Sequence, residues 1–522
     1  MKDKGIPSDM RARARPSWVI VFSFLLAGCN AIHAPPQPEV LRLSAPTEGT
    51  LARLNDLVAP SLGTNESAFL ALDDNREALL WRLAMIDAAT TSIDAQYFIW
   101  TDDEAGNLMF ARCLAAADRG VRVRLLIDDY GNTTTSRALA AMSRHGHLDI
   151  KIYNPGRLRE SPLGLGALGD FLLSFQQLNR RMHNKVMIVD GHAAIAGGRN
   201  IGNPYFGISP VYNFRDFGLI VVGPVVDEIA QEFDAYWNSE LAFPGEYLTD
   251  GVTDADIKQI RAQRQTLLAS KSELLDSYAV DISASILDLD SLPARFKTGE
   301  AHFLQDDPVN FGGEQLRLFD MISYAARQTD EELLIVSPYL IPTPDLLANL
   351  TERARDGVKI KILTGSLGSN NHTITHSHYR KYRRPLLESG ATLYEFRHDP
   401  SPALRAGSDV APIESQFISL HTKLIVFDRR QCFIGSLNLD PRGLVINTEN
   451  GIFLDSPAFC GPLAEHIDML SSAENAWRVY LNEDGQLRWE SGTETLAWQP
   501  ARSFGQRIAD FFLGLLPIEN QL

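Results

Sequence analysis

Apolar and polar positions follow the same order twice along this chain. "NREALLWRLAMIDAA" has helical spacing and leads into the strand-like "SIDAQYFIW". A helix ending at Gly120, the strand "VRVRLLI", a helix near Arg137 to Arg144 and the strand "DIKIYN" come next. Further on, "EQLRLFDMISYAARQ", "ELLIVSPYL", a helix ending at Gly357, "VKIKILTG", a helix near Tyr379 to Glu388 and "ATLYEF" repeat that order. Arg119-Gly120-Val121-Arg122-Val123-Arg124 aligns with Asp356-Gly357-Val358-Lys359-Ile360-Lys361. A glycine that closes a helix before a β-branched strand is favourable capping chemistry in both places. Each half ends alike: "FRDFGLIVVG" precedes the helical "PVVDEIAQEFDAYW", and "NTENGIFLDS" precedes a helix from Pro457. Alternating helices and strands predict an α/β fold with a largely buried sheet in each half. The copies span about 65–240 and 300–472, joined by a charged connection at 241–299, and they should pack about an approximate two-fold axis.

Within each half one polar skeleton threads an apolar run. "MHNKVMIVDGHAAIAGGRN" (182–200) and "LHTKLIVFDRRQCFIGSLN" (420–438) both read H-x-K-x4-D-x6-G-[G/S]-x-N. Alternate residues of a strand share a face, so His183 projects with Lys185 and His421 with Lys423. The turns at Gly197-Gly198 and Gly435-Ser436 let backbone approach a ligand. Asn200 and Asn438 offer directional amide donors. With Gly198 and Ser436, they are the candidate phosphate-binding residues. One histidine, one lysine and one asparagine make half of a phosphate site, and the two halves together supply a nucleophile, a general acid and charge-stabilising donors without a metal. Asp190 and Asp428 end their strands, where a turn role and a catalytic role are both open. Asp216 and Glu449 hold matched positions on the next strand and are candidate orienters of a histidine. The Asp-Asp pairs at 73–74, 102–103, 128–129 and 306–307 fall at element ends and read as turns. His372, His376 and His378 open a basic helix, where substrate or structural contacts are favoured over a metal site. No cofactor or metal is expected.

The ends of the chain carry other signals. Lys2, Lys4, Arg11, Arg13 and Arg15 precede the apolar run Trp18 to Leu26, which reads as a secretory signal and is too short for a comfortable span. Leu26-Ala27-Gly28-Cys29 resembles a bacterial lipobox, with 1–28 as signal peptide and Cys29 as the lipidation site; a plain signal peptide or an uncleaved anchor is the alternative. Asn30 rather than aspartate favours the outer membrane. Residues 29–64, with Pro35, Pro36 and Pro38, read as a tether. The expected place is thus the cell envelope, lipid-anchored and facing the periplasm. Residues 473–522 should form a hairpin turning at Asp484-Gly485 and an amphipathic helix with a stripe of Phe504, Ile508, Phe511, Phe512, Leu515 and Leu516, which docks on the domain or lies on a membrane.

Over 522 residues the formal net charge is −16, which argues against a broad nucleic-acid surface but leaves room for a local basic pocket around one phosphate. Besides Cys29 there are Cys113, Cys432 and Cys460, without metal-like spacing. Buried free thiols are the expectation, with a single disulfide the alternative.

The paired skeletons, with "AQYFIWTDD", "RGVRVRLLIDD", "LNRRMHNK", "GGRNIGNPYFG", "SLNLDPRG" and "LPIENQL", resemble the phospholipase D superfamily, in particular its bacterial cardiolipin synthase C-type branch. That resemblance implies two tandem phospholipase D-like repeats, each a mixed β-sheet flanked by helices, packed as a pseudo-two-fold dimer. It places His183, Lys185 and Asp190 in one catalytic motif and His421, Lys423 and Asp428 in the other, with His183 as nucleophile and His421 as general acid. The implied reaction is phosphatidyl transfer, most simply onto phosphatidylglycerol to give cardiolipin, with phosphatidylethanolamine as another substrate candidate. A phospholipase D hydrolase is the alternative; a periplasmic nuclease and a non-catalytic scaffold rank lower. The apolar, glycine-rich "PGRLRESPLGLGALGDFLLSFQ" could line an acyl channel or fill a core.

Overall fold

The structure is a computed structural model and describes residues 36–132, 134–156, 179–275, 278, 288–309 and 317–522. The lipobox, the start of the tether and nearly all of the candidate acyl-channel segment lie outside the described residues.

In the first half the strands are β1 (Glu66–Leu72), β2 (Ser92–Trp100), β3 (Arg122–Asn132), β4 (Leu148–Tyr153), β5 (Lys185–Val189), β6 (Ala193–Gly197), β7 (Tyr212–Arg215), β8 (Gly218–Val222) and β9 (Ala242–Pro244). The second half has β10 (Lys297–Gln305), β11 (Glu332–Val336), β12 (Lys359–Gly365), β13 (Thr392–Phe396), β14 (Phe417–Leu420), β15 (Leu424–Phe427), β16 (Gln431–Gly435) and β17 (Asn450–Asp455). Three more follow: β18 (Ala476–Leu481), β19 (Leu487–Ser491) and β20 (Glu494–Leu496).

All but two of these strands pair into one sheet, in the spatial order β9-β4-β3-β2-β5-β6-β8-β1-β10-β17-β16-β15-β11-β12-β13-β18-β19-β20. The order is palindromic about the antiparallel β1–β10 pair, Glu66 opposite Glu300. Each half contributes a parallel β2-β3-β4 or β11-β12-β13 block, with antiparallel strands beside it. Each half is therefore a mixed sheet, and the two are related by a pseudo-two-fold axis.

Alternation along the central strands decides what faces what. In β5, Val186 and Ile188 enter a core shared with Leu424 and Val426 of β15, beneath the helices Val225–Trp237 and Pro457–Leu470. The intervening Met187 and Val189 turn to a separate first-half core, and Ile425 and Phe427 to a second-half core. Apolar residues of both faces are thus buried, and the shared layer joins the halves.

Two expectations change, one for the cysteines and one for the C-terminal stripe. Cys432 and Cys460 are not separate thiols but a disulfide: β16 packs against the helix Pro457–Leu470 and brings their Cα atoms to 5.8 Å, a proximity that 28 residues of sequence separation do not reveal. Cys113 is a buried free thiol, as expected. Just beyond the bounds at 240 and 472, β9 adds to β4 and β18 adds to β13 in matching places. Within the connection, the helix Asp254–Ser270 docks on the first half, where Arg264 is buried over the Phe110 ring at 4.7 Å.

The β18–β19 hairpin forms as expected, with Gly485 at φ 70° in its turn. The helix Phe504–Leu513 does dock, but not through its apolar stripe. Its buried face is Asp510, fully enclosed and 2.8 Å from His376 Nδ1. Phe504, Ile508, Phe511 and Phe512 point outward.

Candidate active site

The two H-x-K segments are held at the seam between the halves, each by a strand of the opposite half. The parallel β7–β14 pair continues into a bond from His421 N–H to the Arg215 carbonyl, 2.8 Å. A parallel bridge between Met182 and Thr448 continues into a bond from His183 N–H to the Thr448 carbonyl, 2.9 Å. Arg215 and Thr448 each precede the carboxylate that the sequence marked, so each carboxylate lands beside the histidine of the other copy. Glu449 Oε2 lies 2.8 Å from His183 Nδ1, and Asp216 Oδ2 lies 2.5 Å from His421 Nδ1. Neither ring's Nε2 has a hydrogen-bond partner among the described residues. Phe98 stands edge-on to His183 at 4.8 Å, and Tyr205 does the same to His421 at 5.3 Å.

Lys185 and Lys423 share their histidines' face, as the strand period requires. Each ammonium donates to the backbone carbonyl of its own histidine, Lys423 at 2.6 Å. Burial shapes the charge of this group. It pushes His421 down to about 4, with Lys423 adding to the effect and Asp216 opposing it. Burial, then Lys185, Lys423 and the nearby His421, holds His183 well below its ordinary value. Lys423 is depressed to about 8, chiefly by burial. Burial raises Asp216 less than His421, Lys423 and Arg199 lower it, so it stays ionised. The result is a set of buried cationic groups whose charged forms await an anion.

Several sequence assignments shift. Asn200 does not reach into the cleft: its Oδ1 accepts the Ile99 N–H at 3.0 Å and its Nδ2 donates to the Tyr205 hydroxyl at 2.9 Å. Its amide is spent on placing Tyr205. Asn438 is not spent this way; its Oδ1 is buried with no partner among the described residues. Ser436 Oγ donates to Glu449 Oε2 and accepts the Asn450 N–H at 3.0 Å, so it steadies a carboxylate rather than a phosphate. Gly198 is bare because the other carboxylate fills its space: a Cβ there would sit 2.3 Å from Asp216 Oδ1.

Asp190 and Asp428 lie at the far ends of β5 and β15, with φ 53° and 49°. Asp190 accepts the N–H groups of Thr90, Thr91 and Ser92 at 2.7–2.9 Å. Asp428 does the same for Asp330, Glu331 and Glu332 at 2.8–2.9 Å. Both carboxylates anchor the entry to a neighbouring strand, which settles the open choice in favour of structure and corrects their catalytic assignment.

The other marked residues also find partners. Asp74 and Asp103 cap helices through the Glu77 and Gly106 N–H groups. Asp128 lies inside β3 rather than at its end, and Asp306 just past β10, and neither is merely a turn residue. Asp128 accepts the Met182 N–H at 2.8 Å and Asp306 the Glu449 N–H at 2.9 Å, so both brace the His183 pair. His376 and His378 pair with Asp510 and Glu519 of the C-terminal segment. Residues that sequence reasoning missed include Tyr205, Arg199, Arg442 and Asp440. Arg199 donates to the Asp216 carbonyl at 2.7 Å, and Arg442 disfavours protonation of His183 while donating to the Gln521 carbonyl at 2.8 Å. Asp440 is pushed up to about 6 by burial. All four stand within "GGRNIGNPYFG" or "SLNLDPRG", where proximity to the motifs was the available signal.

Comparison with known proteins places this geometry. The family model for the cardiolipin synthase, PLD-like domain matches residues 83–237 and 320–471, once in each half. The chain belongs to the phospholipase D superfamily, in its cardiolipin synthase branch. It is 33% identical over 495 residues to cardiolipin synthase C of Escherichia coli (strain K12), covering 90% of this chain and 99% of that relative. The major cardiolipin synthase of Bacillus subtilis (strain 168) is 24% identical over 438 residues, covering 83% of this chain and 75% of its own. Among solved structures, a phosphatidylserine synthase of Haemophilus influenzae Rd KW20 shares the fold at a TM-score of 0.53 and 14% identity, covering 78% of this chain and 87% of that one. The two histidine–carboxylate pairs lie together at the seam, with His421 near enough to oppose protonation of His183.

Proposed function

We propose that this chain is a phosphatidyltransferase that joins two glycerophospholipids through a phosphohistidine, with phosphatidylglycerol as acceptor and cardiolipin as product. The observation that carries it is the crossed pairing of His183 with Glu449 and His421 with Asp216, in a chain that matches a cardiolipin synthase over 99% of that relative's length.

In the first half-reaction His183 Nε2, its Nδ1–H held by Glu449, attacks the donor phosphorus. The P–O bond to the headgroup breaks, and His421 Nε2–H gives its proton to the departing alcohol. His421 is neutral in the free protein; the entering phosphodiester anion beside it, with Asp216 behind, favours the protonated form. Lys185 and Lys423 balance charge on the equatorial oxygens. In the second half-reaction His421 takes the proton of the acceptor hydroxyl, that oxygen attacks phosphorus, and the P–N bond to His183 breaks. Acceptor and water compete for the same phosphohistidine, so the product separates synthase from hydrolase.

The site acts in the cell envelope, attached through lipidated Cys29 and facing the periplasm. The disulfide between Cys432 and Cys460 supports an oxidising compartment. Among the described residues no helix is long and apolar enough to cross a membrane.

Incubation with labelled phosphatidylglycerol and phosphatidylethanolamine, beside a His183→Ala control, tests the proposal. Cardiolipin should accumulate in the parent and not in the control. Phosphatidic acid as sole product would replace the synthase with a hydrolase, and DNA cleavage without lipid turnover would overturn both.

A further inference from the structure

The C-terminal helix is mounted with its polar side inward. Asp510 is enclosed by His376 at 2.8 Å, Gln499 Nε2 at 2.8 Å and Arg380 at 3.7 Å. Gln506 Nε2 donates to the Leu367 carbonyl at 2.6 Å. These contacts fix the helix's rotation, and they leave Phe504 at 74%, Phe512 at 62% and Leu515 at 64% exposed. Trp498, 77% exposed, stands on the same face. Single exposed apolar residues need no explanation, but a contiguous aromatic and aliphatic face marks a contact surface. A groove of about 600 Å³ runs beside the helix, lined by Trp498, Phe504, Ile508 and Phe512 and by Arg488 and Arg507.

We propose that this face is a membrane-docking surface for an anionic phospholipid bilayer. The proposal rests on the phospholipid reading of the active site. Charge selects the occupant. In a chain of net charge −16, the apolar face is edged by cations: Arg488 and Arg507 in the groove, and Arg380 stacked over Phe511 at 5.5 Å. Among the described residues no carboxylate lines the groove, and the helix's own Asp510 is spent inward as above. Arginines around an aromatic centre suit the headgroup boundary, where the guanidinium meets phosphate and the stem and rings enter the acyl layer. A second copy packed face to face would set Arg488 and Arg507 against the same cations of its partner. The helix Phe504–Leu513 has 10 residues, too few to span, so the contact lies in the plane of the surface.

The same helix is wired to the catalytic cleft. The loop it grips, through Leu367 and through Arg502 to Gly368, carries the Ser369 carbonyl, which accepts Ser419 Oγ at 2.8 Å, two residues before His421.

Tryptophan quenching by phospholipids with brominated acyl chains tests this in the full chain. Vesicles of phosphatidylglycerol and phosphatidylcholine in equal parts should quench the fluorescence component lost in Trp498→Phe. Vesicles of phosphatidylcholine alone should quench it far less. Arg488→Gln and Arg507→Gln should each weaken the quenching association roughly fivefold, and the pair Phe511→Ser and Phe512→Ser should abolish it. Equal quenching of parent and Trp498→Phe, or equal quenching by both vesicle types, would overturn the proposal. So would a dimer in sedimentation that the Phe511→Ser and Phe512→Ser pair dissolves, which would give the face to a second copy. Turnover of detergent-dispersed phosphatidylglycerol, read on the same samples, should persist in every variant. Its absence from the parent would sink the catalytic reading while leaving the quenching result standing.

Discussion

Glu449→Gln removes one charge from the centre of the site while keeping its shape. Both Glu449 oxygens lie within 2.9 Å of His183 Nδ1, and Ser436 Oγ donates to one of them, Oε2. In the glutamine variant one of those two positions becomes an NH2 group. If Ser436 keeps its acceptor, the NH2 takes the Oε1 place and donates to Nδ1. The proton then moves to Nε2, the atom that must attack phosphorus, and the wrong tautomer is locked in. Where a carboxylate's hold on a catalytic histidine is lost in this way, turnover falls by about 10⁴-fold, and a loss of about 10³- to 10⁴-fold is expected here. Stability should behave differently. Burial raises the Glu449 carboxyl well above its ordinary range, with Lys185 opposing. A carboxyl raised on folding stabilises fully below its ordinary value, and that contribution is lost as pH rises through the raised value. Above that raised value an ionised Glu449 costs stability, and glutamine removes the cost. The assay is initial-rate turnover of labelled phosphatidylglycerol in mixed micelles, paired with the thermal midpoint near pH 7. Activity within tenfold of the parent, or a loss of activity matched by a collapsed midpoint, would refute the orienting role.

Gly198→Ala places a Cβ 2.3 Å from Asp216 Oδ1, so the carboxylate must leave His421; turnover should drop roughly 10²-fold, as small misplacements in a site do, and steady-state kinetics on the folded variant read it. Asp428→Ala frees three N–H groups, that of Glu332 partly buried and those of Asp330 and Glu331 exposed, and should cost about 2 kcal/mol in denaturant unfolding, with turnover per folded molecule little changed. His421 is held down to about 4 from 6.5, so the unfolded chain binds the extra proton and stability falls with pH across that window. His421→Asn should flatten this acid limb by up to about 3 kcal/mol, measured as unfolding free energy against pH.

The repeat order, the mixed α/β fold and the two histidine–lysine pairs were legible in sequence because each rests on a local period. Helical and strand spacing needs only neighbours, and H-x-K projects by strand alternation alone. The matched carboxylates were legible as positions, but their crossing was not. Asp216 serves the histidine of the other copy because β7 pairs with β14, a contact across 205 residues. Asn200 looked like Asn438 until Tyr205, present in one copy only, captured its amide. Asp190 and Asp428 sit in a motif with the catalytic residues, yet they hold the far ends of the strands. Motif membership reports a shared framework and not a shared cleft. The disulfide and the outward stripe of the last helix depend on packing between elements, for which no short-range pattern exists. In the helix, a single buried charge, Asp510, outweighs the amphipathic stripe and turns it outward.

The central claim is one active site built from both copies, with His183 as the atom that carries the phosphatidyl group. Rapid quench into alkali after mixing with phosphorus-labelled phosphatidylglycerol, followed by peptide mapping, tests it most directly. The label should ride on the peptide containing His183 in the parent and be absent from His183→Ala. Label on His421, or undiminished label in His183→Ala, would contradict the assignment.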